Sequence, residues 1–197
     1  MTAPLTDPST KVQVLGVAGS LRQGSYNAAL LRAAVELAPP GLGVTVFSQL
    51  GELPFYNADL DIGDGPEPVA ALRRALRETD ALLIVTPEYN SGIPGVLKNA
   101  IDWASRPSQT TPLHGMPAGI MGAATGLVGT ARAQLALRQA FVFTQTCPLS
   151  APEVLVSKAH EKFDAAGRLQ DEATRTVVRD YLERLRRWTL QLKHCVE

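Results

Sequence analysis

The run Ala81-Leu82-Leu83-Ile84-Val85 is apolar without interruption and closes on Thr86-Pro87. It is too short for a typical helix, and with no polar alternation it reads as a strand covered on both faces, the kind found in parallel sheets packed between helices. Pro87 removes a backbone donor and biases Thr86 toward extended geometry, so the strand ends there and Glu88-Tyr89-Asn90-Ser91-Gly92 forms a loop. Beyond Pro94, which a helix start tolerates, Val96, Leu97, Ala100, Ile101 and Trp103 recur at helical spacing. The unit is strand, loop, helix. In an open α/β sheet such a loop lies at the carboxyl end of its strand, where ligands bind.

The same unit recurs along the chain. Lys11 to Val17 reads as a strand, Ala18 to Asn27 as a loop and Ala28 to Leu37 as an Ala- and Leu-rich helix. Strands are expected at Val44 to Phe47, Pro117 to Gly122 and Val154 to Ser157, and helices at Val69 to Arg77, Thr130 to Phe143 and Asp171 to Lys193. Leu50 to Pro68 is a long Gly-, Pro- and Asp-rich connection containing Pro54-Phe55-Tyr56-Asn57; connections of that length serve function or assembly, or else pack structurally. About five strands alternating with about five helices imply an α/β fold, a doubly wound five-stranded parallel sheet with helices on both faces, for which 2-1-3-4-5 is a common strand order. Residues 1–10, rich in Thr and Pro without a basic or apolar segment, read as a flexible N-terminal tail, and 11–197 as one domain.

The first loop carries neither GxGxxG nor the Gly-Lys-Ser/Thr ending of a nucleoside-triphosphate loop. It does carry hydroxyls at Ser20 and Ser25, a guanidinium at Arg22 and an amide at Asn27, all donors to a phosphate placed at the following helix N-terminus. From these residues alone an ordinary capped turn reads equally well. The strand order favours the phosphate: winding reverses between the first and third strands, so the loops Gly19 to Asn27 and Pro87 to Pro94 line one crevice. A phosphate cradle beside a slot of backbone amides has the shape of an FMN site.

Basic and acidic residues balance at 19 each, which removes any general case for nucleic acid. Cys147 and Cys195 have neither CxxC spacing nor a nearby His at ligand spacing, so no zinc site or disulfide framework is expected, and no apolar run has membrane-spanning length. A cytoplasmic protein fits. No Ser/His/Asp constellation stands out, His114, His160 and His194 read as surface residues, and Glu88 and Asp102 read as structural carboxylates rather than an acid/base pair. Trp103 and Trp188 read as packing or subunit-contact residues.

Gly19-Ser20-Leu21-Arg22 with Ser25 and Asn27, Pro87-Glu88-Tyr89-Asn90, and Pro94-Gly95-Val96-Leu97-Lys98-Asn99-Ala100-Ile101-Asp102-Trp103-Ala104-Ser105-Arg106-Pro107 resemble the flavodoxin-like NAD(P)H-dependent FMN reductase family, which includes quinone, chromate and azo-dye reductases. The resemblance runs from Val12 to the last helix. It implies an enzyme that passes a hydride from NADPH or NADH through bound FMN to quinones or similar small acceptors, by a ping-pong mechanism, and that assembles as a homodimer or homotetramer. It implies further that Ser20, Arg22, Ser25 and Asn27 hold the FMN phosphate, while Pro87, Glu88, Tyr89 and Asn90, with Ala124, Thr125 and Gly126, border the ring. No side chain is expected to be catalytic, because the chemistry belongs to the flavin. The third loop departs from the pattern: Ala124-Thr125-Gly126 stands for Ser-Pro-Gly, Thr130 for a Gly and Met116 for a frequent Lys, so a hydroxyl beside the ring is expected to be lost. A flavodoxin-type electron carrier or a redox-sensing module without turnover would use the same fold. Such carriers are typically strongly acidic, unlike this neutral chain.

Overall fold

The computed structural model describes residues 10–196; the tail expected at 1–10 falls, apart from Thr10, outside them. Four strands, β1 (Val12–Ala18), β2 (Leu42–Val46), β3 (Ala81–Val85) and β4 (Pro117–Ala123), pair in parallel, and the fifth position is filled by two short segments, β5 (Cys147–Pro148) and β6 (Val154–Val156). The sheet order is β2-β1-β3-β4-β5, with β6 also on β4, as the flavodoxin-like reading expects. Register fixes the switch point: Ala18 lies beside Val85, so β1 and β3 end level with each other.

The unbroken apolar runs follow from burial on both faces. Val12, Val14, Leu83 and Val85 face one core, with α1 (Tyr26–Glu36) and α6 (Glu172–Val196). Leu15, Val17, Leu82 and Ile84 face the other, with α2 (Glu67–Arg77), α3 (Gly95–Ala104) and α4 (Ala131–Thr144). Alternate residues of one strand thus serve two cores, and β3, buried at every position, is apolar throughout.

Three elements differ from the sequence expectation. The edge position was expected to be one strand, Val154 to Ser157; β5 precedes it, pairing Pro117 with Cys147, and the chain leaves β4 between Leu149 and Glu153 before β6 rejoins it at Met121. Pro148 and Pro152 each lack the N–H of a continuous ladder, which confines this stretch to an edge. A short helix, α5 (Ala159–Lys162), follows β6 and carries no periodic signal. The connection from 50 to 68 is not free chain: it contains two 3₁₀ turns, Leu50–Glu52 and Ala58–Leu60. The indole of Trp103 donates to Pro54 O at 2.7 Å, and Asn99 donates to Pro54 O at 2.9 Å while accepting from Tyr56 N at 2.8 Å. Arg73, fully buried, pairs with Asp61 at 2.7 Å and donates to Trp103 O. Asn99 and Trp103 of the long motif are therefore anchors of this connection, with Phe55 left 87% and Ile62 80% exposed.

Candidate active site

The ends of β1, β3 and β4 open into a cleft of about 460 Å³, within the range of small-molecule sites. Its lining joins the three loops: Ser20, Arg22, Ser25, Tyr26 and Asn27 from the first, Pro87, Glu88 and Tyr89 from the second, and Ala123, Ala124 and Thr125 from the third. The switch point thus brings together nine of the eleven residues expected to bind cofactor; Asn90 and Gly126 are exposed and are not among the lining residues.

The first loop gathers hydrogen-bond donors at the start of α1. Ser25 adopts extended backbone and its Oγ accepts from Ala28 N at 3.2 Å, capping α1. Among the described residues no hydrogen bond engages the N–H groups of Tyr26 and Asn27, so the first turn keeps donors for a ligand. Arg22 is exposed, folded back with Nη2 donating to Gly24 O at 2.6 Å and its guanidinium 5.7 Å from the Tyr26 ring centroid. Ser20 Oγ lies 3.2 Å from the Tyr89 hydroxyl. Asn27 is buried and holds Ala123 from both sides, donating Nδ2 to its carbonyl and accepting from its N–H, each at 2.9 Å. One Nδ2 hydrogen remains for a ligand; the other polar capacity of this amide fastens α1 to the end of β4.

The second loop is a two-residue turn. Tyr89 and Gly92 exchange backbone hydrogen bonds of 3.2 and 3.0 Å, and Asn90 and Ser91 have φ of 50° and 64°, the signature of a primed hairpin turn. Asn tolerates that conformation; Ser91 is held in it by the closing pair. Glu88 was expected to face the ring through its loop backbone, and its side chain has a separate task. Its carboxylate accepts from Arg132 N at 2.9 Å, Ala133 N at 3.2 Å and Arg132 Nε at 2.8 Å, and its side chain is only 8% exposed. Burial pushes the carboxyl up, but the bonds from Ala133 and Arg132 outweigh it and hold the group below the ordinary glutamate value. Asp102 pairs with Lys98 at 2.6 Å one turn away on α3.

Thr130 caps α4 by position but makes no capping side-chain bond. Its buried hydroxyl turns inward, accepts from Gln134 Nε2 at 3.1 Å and covers Gly122, where a Cβ would collide with Thr130 Oγ1 and Thr86 O. This departure therefore faces the core, not the cleft. Met116 is likewise buried among Leu113, Ala118 and their neighbours, with no bearing on the cleft. Thr125 lines the cleft, so a hydroxyl-bearing residue still borders the side where Ala124 lacks one. Trp103 is fully buried; Trp188 is half-buried, donating to Cys147 O at 2.9 Å. Among the described residues no group of three or more His, Cys, Asp or Glu is placed to hold a metal.

The model of the NADPH-dependent FMN reductase family matches residues 12–161, which span all three loops and the sheet. The chain belongs to that family. This FMN reductase family member is 47% identical over 185 residues to an NAD(P)H-dependent FMN reductase of Pseudomonas aeruginosa, covering 94% of this chain and 99% of the relative. It is 40% identical over 169 residues to the quinone reductase of Escherichia coli, covering 84% and 89%. The solved structure of FerB, the flavoenzyme NAD(P)H:(acceptor) oxidoreductase from Paracoccus denitrificans, superposes with a TM-score of 0.83 at 35% identity, covering 91% of this chain and 98% of that one. The donor set of the first loop suits the phosphate of FMN: hydroxyls, a guanidinium and open helix N–H groups, with no carboxylate side chain among its lining residues. The Glu88-Arg132 tie escaped the sequence reading because the partners stand 44 residues apart with no shared motif.

Proposed function

We propose that FMN sits in this cleft with its phosphate on Ser20, Arg22, Ser25 and the open N-terminus of α1, and its ring against the turn at Pro87 to Asn90 and the loop at Ala124 to Gly126. The enzyme is an FMN-dependent NAD(P)H oxidoreductase. When bound, FMN would supply the redox chemistry between the nicotinamide donor and a quinone or similar small acceptor. The protein's part is to hold and orient. Arg22 would leave Gly24 O and the Tyr26 face to meet the phosphate; Asn27 fixes Ala123; the N–H groups of Glu88 and Asn90, outside the Tyr89–Gly92 pair, would stabilise negative charge on the ring. Donor and acceptor occupy the same face of the ring in turn on this reading, which gives ping-pong kinetics.

Assembly as a homodimer or homotetramer belongs to this reading, and of the segments expected to support it the Pro54 to Asn57 stretch does expose apolar surface, at Phe55. Of α3, Trp103, Leu97 and Ile101 are buried, and Trp188 is bonded inward. Exposed apolar residues include Phe55 and Ile62 on the pinned connection, and Leu127, Leu135, Val142 and Phe143 on or beside α4. Among the described residues no helix is long and apolar enough to cross a membrane, and we place the enzyme in the cytoplasm, with 11–197 as one FMN-binding domain.

One observation carries the proposal: a helix N-terminus with unengaged N–H groups opens, beside the side chains of Ser20, Arg22 and Ser25, at the switch point of the sheet. Titrating the flavin-free protein with FMN, FAD and riboflavin tests it. FMN is expected to bind tightest, riboflavin more weakly for want of the phosphate; equal binding of FMN and riboflavin would refute the phosphate seat.

A further inference from the structure

Three side chains tie the three loops into a ring. Ser20 meets Tyr89, joining the first loop to the second. Glu88 grips the N–H groups of Arg132 and Ala133 and the Arg132 guanidinium, joining the second loop to the start of α4. Asn27 holds both backbone groups of Ala123, joining the base of the third loop to α1. The third loop is thus fixed at its start by Asn27 and at its end by Glu88, because Thr130, the residue positioned to cap α4, has its hydroxyl turned inward.

Granting that the cleft holds FMN, we infer that Glu88 is a positioning residue: its buried carboxylate sets the spacing between the second and third loops, and that spacing, not a contact of Glu88 with the flavin, forms the seat of the ring. Carboxylate suits the role because both backbone donors and the guanidinium need acceptor lone pairs, and a negative group at a helix N-terminus is favoured by the dipole. An amide in its place keeps one acceptor oxygen but turns N–H groups toward other donors. The effect on binding falls on the ring side, so it acts alike on any ligand carrying the isoalloxazine, with or without a phosphate.

The test is fluorescence titration of flavin-free wild type, Glu88→Ala, Glu88→Gln and Arg132→Ala with FMN and with riboflavin, alongside the melting temperature of each protein. Glu88→Ala is expected to weaken both flavins by about tenfold and to the same degree, with Glu88→Gln intermediate. Arg132→Ala, which leaves the two backbone bonds in place, is expected to stay within about threefold of wild type. If Glu88→Ala melts lower yet binds both flavins like wild type well below its melting temperature, Glu88 is only a helix cap and the inference is wrong. Loss confined to FMN would also overturn it, by moving Glu88 to the phosphate. Should Glu88→Ala fail to fold, Glu88→Gln decides alone: wild-type affinity for both flavins refutes the inference. Failure of wild type itself to bind FMN would refute the reading of the cleft instead.

Discussion

Two helices begin beside the cleft, and their N-termini are finished in different ways. At α1 the cap is local: Ser25 takes one N–H, and those of Tyr26 and Asn27 stay unengaged. At α4 the anion is internal: Glu88 arrives from the second loop and fills the first turn. Both ends have the same dipole and the same orphan donors. The start of α1 thus keeps free donors, while the first turn of α4 is occupied by a side chain of the protein itself. On the proposed reading this difference gives direction to the cleft, phosphate toward the first loop and ring toward the second and third.

The largest expected effect comes from the packed end. Gly122→Ala drives a methyl group into Thr130 Oγ1 and Thr86 O, and backbone cannot yield there as a flexible side chain would. It should cost about 3 kcal/mol or prevent folding, seen as a large fall in melting temperature. Adding Thr130→Gly should recover only part, since Thr86 O remains; full recovery would show that the β4 end is less rigid than the comparison requires.

At the open end, Arg22→Ala should weaken FMN by about tenfold or more and leave riboflavin nearly unchanged, because a charge-assisted contact to phosphate is worth roughly 1.5–3 kcal/mol. Equal losses for both flavins would remove the distinction between the two helix ends.

A smaller effect separates the filled end by pH. The Glu88 carboxyl is held below its ordinary value of 4.5, so its charged form stabilises the fold above that pH, and the contribution is lost as pH falls from 4.5 through the depressed value. The melting-temperature gap between wild type and Glu88→Gln should be constant at neutral to mildly acidic pH and close below 4.5. A gap that closes as pH rises instead would have the wrong sign for a bound carboxylate.

The open end was legible in the sequence and the filled end was not. Ser20, Arg22, Ser25 and Asn27 fall in one short segment between a strand and a helix, and Pro87 to Asn90 form another, so chain order delivers both to the switch point. Ala81 to Val85 announced its strand because two cores demand apolar residues at every position. Glu88 and Arg132 carry no such signal, since their meeting depends on the placement of α4 across the sheet. Nor does Thr130, whose hydroxyl direction is decided by the space over Gly122. β5 was missed because a two-residue strand ending in proline has no period to read.

The central claim is that the cleft turns a nicotinamide donor over to a small acceptor, and anaerobic rapid mixing of the FMN-loaded protein tests it most directly. NADH or NADPH should bleach the flavin absorption band in a rapid two-electron step, and a benzoquinone added afterwards should restore the band at a rate independent of donor concentration. If neither nucleotide bleaches the band over minutes while a one-electron chemical reductant does, the protein is a carrier or a sensor, and the account of the cleft as an enzyme's active site is contradicted.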